Sequence, residues 1–175
     1  MPIQAATDPN RNASLNPARN ASINPHHNAS LNPAYNASLH PVYNASLNPA
    51  YNASLNPAYN ASINPAYNAT LNPAYNPSVD PSRNPSINPH RNPSFVGPFV
   101  WDLDLQVEGF LVKASEDIYL IYSMELKRNG LAVRNGKDGF HLVDTNGRWA
   151  GYLVPDRQGG FLRFAPNATW TGLVA

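Results

Sequence analysis

From Leu15 an apolar side chain returns at every eighth position: Leu15, Ile23, Leu31, Leu39, Leu47, Leu55, Ile63, Leu71, Val79, Ile87 and Phe95. Midway between them runs a second row: Arg19, His27, Tyr35, Tyr43, Tyr51, Tyr59, Tyr67, Tyr75, Arg83 and Arg91. The first row never accepts charge and suits an interior; the second accepts Arg and His and suits water. From Asn72 the chain reads NPAY-NPSV-DPSR-NPSI-NPHR-NPSF, with Pro at every fourth position from Pro73 to Pro93. The unit beneath the octapeptide is therefore a tetrapeptide: Asn, Pro or Ala, a small residue, a larger one.

That unit signals a turn every four residues. Asn favours the first position of a type I turn, and Pro presets φ for the second. Repeated Pro excludes an α-helix and makes long ladders unfavourable. The turns form eleven octapeptides over residues 8–95. Three structures compete: a narrow β-solenoid with one tetrapeptide per side and four per coil, an extended polyproline-like stalk, and a disordered tail. The persistent apolar row opposes disorder, and the absence of Gly opposes a floppy linker. Their lengths differ: a stalk would span about 270 Å at ~3.1 Å per residue, a four-sided solenoid about 26 Å at ~4.8 Å per coil.

The pattern changes after Phe95. Gly109, Gly130, Gly151 and Gly172 recur every 21 residues and align four copies, 97–112, 118–133, 139–154 and 160–175. Each reads as a hairpin: an apolar strand, a polar turn such as Thr145-Asn146-Gly147, then a strand with an internal Gly. A Gly inside a strand predicts a bulge or a close backbone approach. The expected fold is all-β: an N-terminal turn repeat (1–95), as narrow β-solenoid or extended stalk, followed by a small pseudo-fourfold domain of four β-hairpins (96–175).

The segments Gly109-Phe110-Leu111-Val112 and Asn146-Gly147-Arg148-Trp149-Ala150-Gly151-Tyr152-Leu153-Val154 resemble the bacterial four-fold β-flower domain. Asn-Pro-x-Tyr-Asn-x-Ser repeats ahead of such a domain are similar to arrays in uncharacterised bacterial proteins. The resemblance implies fold and organisation and transfers no catalytic residue. Val107 and Arg128 depart from it, standing where the later copies have Trp.

Composition supports the division. Of the 18 Pro, 15 lie in the first 95 residues, while all ten Gly lie from Gly97 onward. A net charge of +1 argues against nucleic acid as partner. Without Cys there is neither a disulfide framework nor a thiolate metal site. No apolar run is long enough to predict a transmembrane helix. The N-terminus lacks a basic n-region and an apolar h-region, so a standard secretory signal is not expected; a cytoplasmic home and an unconventional or processed exit both stay open.

Candidate chemistry is sparse, and no catalytic, cofactor or metal residue is assigned. His141 reads as a surface His on a strand. Asp102, Asp104 and Glu108 share one strand face, as a solvated face does, and Asn135–Gly139 reads as a turn rather than a calcium loop. Trp149 and Trp170 occupy equivalent turns and are candidates for ligand stacking, with core packing as the preferred alternative. Asn12, Asn20, Asn28, Asn36, Asn44, Asn52, Asn60 and Asn68 each begin an N-glycosylation sequon; turn hydrogen bonding is the preferred reason for their presence. The function expected is non-enzymatic and structural or adhesive. The array would be spacer or fibre and the β domain cap or binding head, with self-association into an oligomer or filament. The alternatives are a surface-binding module for glycan or another repetitive surface, and an N-glycosylated fibril subunit.

Overall fold

A computed structural model describes residues 3–175. From Asp8 to Phe95 the chain is a succession of single turns, eight of them 3-10 segments such as Ala13–Leu15 and Pro85–Ile87, separated by extended Asn or Asp residues. Each turn is closed by a backbone bond three residues long, as from Leu31 N–H to the Asn28 carbonyl at 3.0 Å. The leading Asn caps it: Asn28 Oδ1 accepts from Ser30 N at 3.2 Å and from Ser30 Oγ at 2.7 Å. One face of the carboxamide thus makes the turn that the sequence calls for.

The other face joins successive octapeptides. Asn28 Nδ2 donates to the Ser22 carbonyl at 2.6 Å, six residues back, and Asn32 Nδ2 to the Pro25 carbonyl at 3.0 Å, seven back. The same two bonds recur along the array, down to Asn92 with Ser86 and Asn88 with Pro81. Their reach is one octapeptide, so like turns are neighbours after two tetrapeptides rather than four. Asp8, His40 and Asp80, the exceptions in the Asn row, keep the capping half of the pattern: Asp8 Oδ1 accepts from Asn10 N at 2.9 Å, His40 Nδ1 from Val42 N at 3.2 Å and Asp80 Oδ1 from Ser82 N at 2.9 Å.

Residues 99–174 form eight antiparallel strands in one closed up-and-down barrel: β1 Phe99–Trp101, β2 Val107–Lys113, β3 Ile118–Ser123, β4 Arg128–Arg134, β5 Phe140–Asp144, β6 Trp149–Pro155, β7 Phe161–Phe164 and β8 Trp170–Val174. The four expected hairpins are β1–β2, β3–β4, β5–β6 and β7–β8, and pairing of β1 with β8 closes the sheet. Closure removes every free edge, which four separate hairpins would leave exposed.

The 21-residue period is carried into the backbone. Register shifts fall between Val100 and Trp101, Ile121 and Tyr122, Leu142 and Val143, and Arg163 and Phe164. Opposite each lies one extra residue, Glu108, Asn129, Ala150 or Thr171, directly before the repeated Gly. A Cβ on Gly109, Gly130, Gly151 or Gly172 would stand 2.1–2.3 Å from a carbonyl oxygen of the facing strand. The carbonyl belongs to the strand on the side away from the bulged pair, so it is the approach of the next strand that requires a residue without Cβ.

Strands such as β2 and β4 bury four consecutive residues, so both faces of the sheet are covered. One face lines the lumen: Val100, Leu111, Ala132, Leu142, Leu153 and Val174 form a cluster to which Tyr119, Ile121 and Phe161 add, so that all eight strands contribute. The other faces outward and is equally apolar, with Phe99, Trp101, Phe110, Leu120, Tyr122, Leu131, Tyr152 and Phe164 buried. The turn array covers it. Leu55, Ile63, Leu71 and Val79 belong to the same cluster as Phe110, Tyr122 and Leu131, and Leu31 to that of Tyr152 and Phe164.

The array therefore does not project as a stalk; it is a belt. Followed backwards from the barrel, Phe95 packs on Phe99 and Phe110, and His90 Nε2 lies 2.6 Å from the Met124 carbonyl. Tyr122 Oη donates to the Val79 carbonyl at 2.7 Å. Leu31 then reaches β6 and β7, and His26 meets the edge of Trp170 at 5.4 Å. Finally Asn10 Nδ2 donates to the Leu105 carbonyl in the β1–β2 turn at 2.9 Å, which completes one circuit of the barrel.

Candidate functional site

Two features of this architecture face solvent with an organised set of side chains. The first is the outer row of the belt. Because alternate turns point opposite ways, burying Leu against the barrel turns Tyr outward. Tyr35, Tyr43, Tyr51, Tyr59, Tyr67 and Tyr75 are each 74–78% exposed, the largest exposed aromatic side chains of the described residues. They recur every eight residues on a backbone held by the Asn bonds, with Arg19 and His27 before them and Arg83 and Arg91 after.

The second is the barrel mouth at the hairpin-turn end. A cavity of about 490 Å³ opens there, walled by Val100, Ile121 and Leu142 and rimmed by the bulge residues Glu108, Asn129, Ala150 and Thr171. Arg163 stands in the wall at the position that Val100, Ile121 and Leu142 hold in the other copies. Its guanidinium donates to Glu108 Oε2 at 2.6 Å and to the Thr171 carbonyl at 3.0 Å, while its Nε is buried without a partner. Thr171 Oγ1 donates in return to the Arg163 carbonyl at 3.1 Å. The opposite end of the lumen is narrowed by aromatic rings: Phe140 meets Tyr119 edge-on at 5.5 Å and Phe161 at 5.4 Å. A smaller cavity of about 110 Å³, lined by Tyr119, Phe140 and Phe161, remains at that end.

The residues singled out from the sequence fall as follows. Trp149 and Trp170 are half-buried, and each indole N–H donates to the carbonyl of its own copy's Gly, Gly151 at 2.7 Å and Gly172 at 2.8 Å. Trp149 packs beside His141 and Tyr152, and Trp170 against His26. Both pack against the belt-and-barrel cluster and keep part of their surface exposed.

All eight sequon asparagines use their carboxamides in the turn and ladder bonds, as Asn60 does with Ser62 and Ser54. Asn76, Asn84 and Asn92 precede Pro, cannot be sequons, and donate in the same way at 3.0 Å or less. The Asn at these places has a structural reason that does not need a sugar.

His141 requires a correction. It is not on the surface but fully buried, on the outward face of β5 beneath the belt. Burial pushes its pKa down to about 4; the Leu47 backbone acts in the opposite sense, but neither ring nitrogen makes a hydrogen bond of full geometry. His141 is buried because both faces of β5 are covered, so a polar residue between apolar ones does not mark water there. The three carboxylates also separate. Asp102 accepts from Gln106 N at 2.8 Å in the first turn, whereas Glu108 swings to the mouth on its bulge. Asn135 Oδ1 accepts from Lys137 N and Gly139 N, making the expected turn.

Arg163 escaped the sequence reading, although the 21-residue register carried the signal: it is the single charge in a row otherwise Val, Ile and Leu. No group of three or more potential metal ligands converges among the described residues, and no helix among them is long and apolar enough to cross a membrane. Comparison with protein-family models, curated proteins and solved structures finds no match to this chain.

Proposed function

We propose that this is a non-enzymatic structural or adhesive protein whose belt, rather than acting as a spacer, presents a row of tyrosines to a repetitive polymer surface such as a polysaccharide. The observation that carries this is the exposure of six Tyr at eight-residue intervals. Six large aromatic side chains left in water on an ordered backbone mark a contact surface more than a solubility device. Aromatic rings with a hydroxyl tip suit a partner that is apolar on one side and hydroxylated on the other. The four-fold β-flower likeness remains a proposal too, supported by four bulges and four Gly in a 21-residue register.

The test replaces all six Tyr with Ser. Their exposure predicts an unchanged melting temperature, while co-sedimentation of the full chain with cellulose or chitin particles is lost. Equal co-sedimentation of both proteins, or none by either, would remove the row from adhesion. Sedimentation velocity on the same pair reads self-association: oligomers formed by the Tyr protein alone would instead make the row a contact between copies.

A further inference from the structure

We infer that the barrel mouth is a binding pocket for a small, neutral, polyhydroxylated molecule of about monosaccharide size, with Arg163 and Glu108 as its specificity-determining pair. The internal repeat supplies the control. In three copies the wall position is Val100, Ile121 or Leu142, and the bulge residue beside it in sequence register is Glu108, Asn129 or Ala150. The barrel closes with aliphatic residues there. A partly buried ion pair in place of a well-packed aliphatic side chain brings no stability that the fold lacks elsewhere, because desolvation offsets the attraction. Yet Arg163, the one charged side chain at the wall position, meets Glu108 of the first copy at 2.6 Å across β8 and β1, at this mouth of the lumen.

Their chemistry defines the ligand class. The guanidinium charge is balanced by Glu108, while Asp144, also in the lining, accepts from Asn146 N at 2.8 Å and Arg148 N at 2.9 Å and stays a carboxylate without a cationic side chain beside it, which disfavours an anionic ligand. No uncompensated cation is left to capture an anion. What remains is a ring of donors and acceptors above an aliphatic wall: Glu108, which keeps 46% of its side chain exposed, Asn129 and Arg163. Charge-assisted groups of both kinds around an apolar floor match vicinal hydroxyls with a C–H face. The cavity, at about 490 Å³, lies within the size range of small-molecule pockets. This inference does not rest on the tyrosine row.

The experiment titrates the full chain with glucose, galactose and N-acetylglucosamine and follows backbone amide shifts by NMR. Saturable shifts at Gly109, Asn129, Ala150 and Thr171, with none along Tyr35–Tyr75, are expected for at least one sugar. The double variant Glu108→Ala/Arg163→Leu copies the third repeat, should fold with an undiminished melting temperature, and should lose those shifts. The single variant Tyr59→Ser, on the exposed outer row and away from the mouth, should retain them. Absence of shifts with every sugar would overturn the inference. So would shifts confined to the belt, or a double variant that is strongly destabilised or binds as before.

Discussion

His141 shows how one side chain can tie stability to acidity. Its ring is neutral and desolvated between β5 and the belt, with a pKa near 4 against an ordinary 6.5. Between those values the unfolded chain binds more protons than the folded one, so stability falls as pH falls. The contribution of the neutral ring is complete above about pH 6.5 and is lost progressively down to about pH 4, where the shift corresponds to roughly 3 kcal/mol. Urea unfolding across that interval should show the loss, and His141→Leu should flatten it. A variant with the same slope as the parent would place the acid sensitivity elsewhere. Tyr122 is tied the other way: burial pushes its phenol pKa up, which keeps the proton that Val79 accepts.

The turn and the hairpin are the two elements, and both were legible to different depths. Asn at the head of each tetrapeptide announced the turn because the residue type and the capping bond are local. Its second bond, six or seven residues back, could not be read from any one turn, although it makes turns into an ordered ribbon. Asn60→Ala should therefore cost more than a turn cap alone. It removes bonds from Ser62 N and Ser62 Oγ and the bond to Ser54 O, together roughly 2–3 kcal/mol at about 1 kcal/mol each. Thermal unfolding checks this, with exposed Tyr59→Ala as the neutral control. A loss no larger than the control's would mean that the ladder adds nothing. In the barrel the 21-residue Gly spacing predicted a bulge or close approach, and it delivers both: the extra residue toward the hairpin partner and the missing Cβ toward the next strand.

For the molecule as one body, the belt decides shape and solubility. Wrapped on the barrel, the chain should scatter as a compact particle with a radius of gyration of about 16 Å, expected for 175 residues. A stalk of about 270 Å would scatter as a rod, and that result would detach the belt. A barrel made from residues 96–175 alone would expose Phe99, Trp101, Phe110, Tyr152 and Phe164, a patch far larger than soluble monomers leave uncovered.

The order of residues alone dictated that a turn forms every four positions, that one row of fourth positions is buried and the other is not, and that four like hairpins follow. These are local or periodic properties, written in neighbouring residues. The destination of the buried row was not. Leu31, Leu47 and Leu71 state that they leave water, and they would state it equally in a free-standing coil packed on itself. Packing chose the barrel, because β2, β4 and β6 are apolar on both faces and a closed barrel can hide only one. The same choice buried His141, partly covered Trp149 and Trp170, turned six tyrosines outward, and brought Arg163 to Glu108 from the far end of the domain.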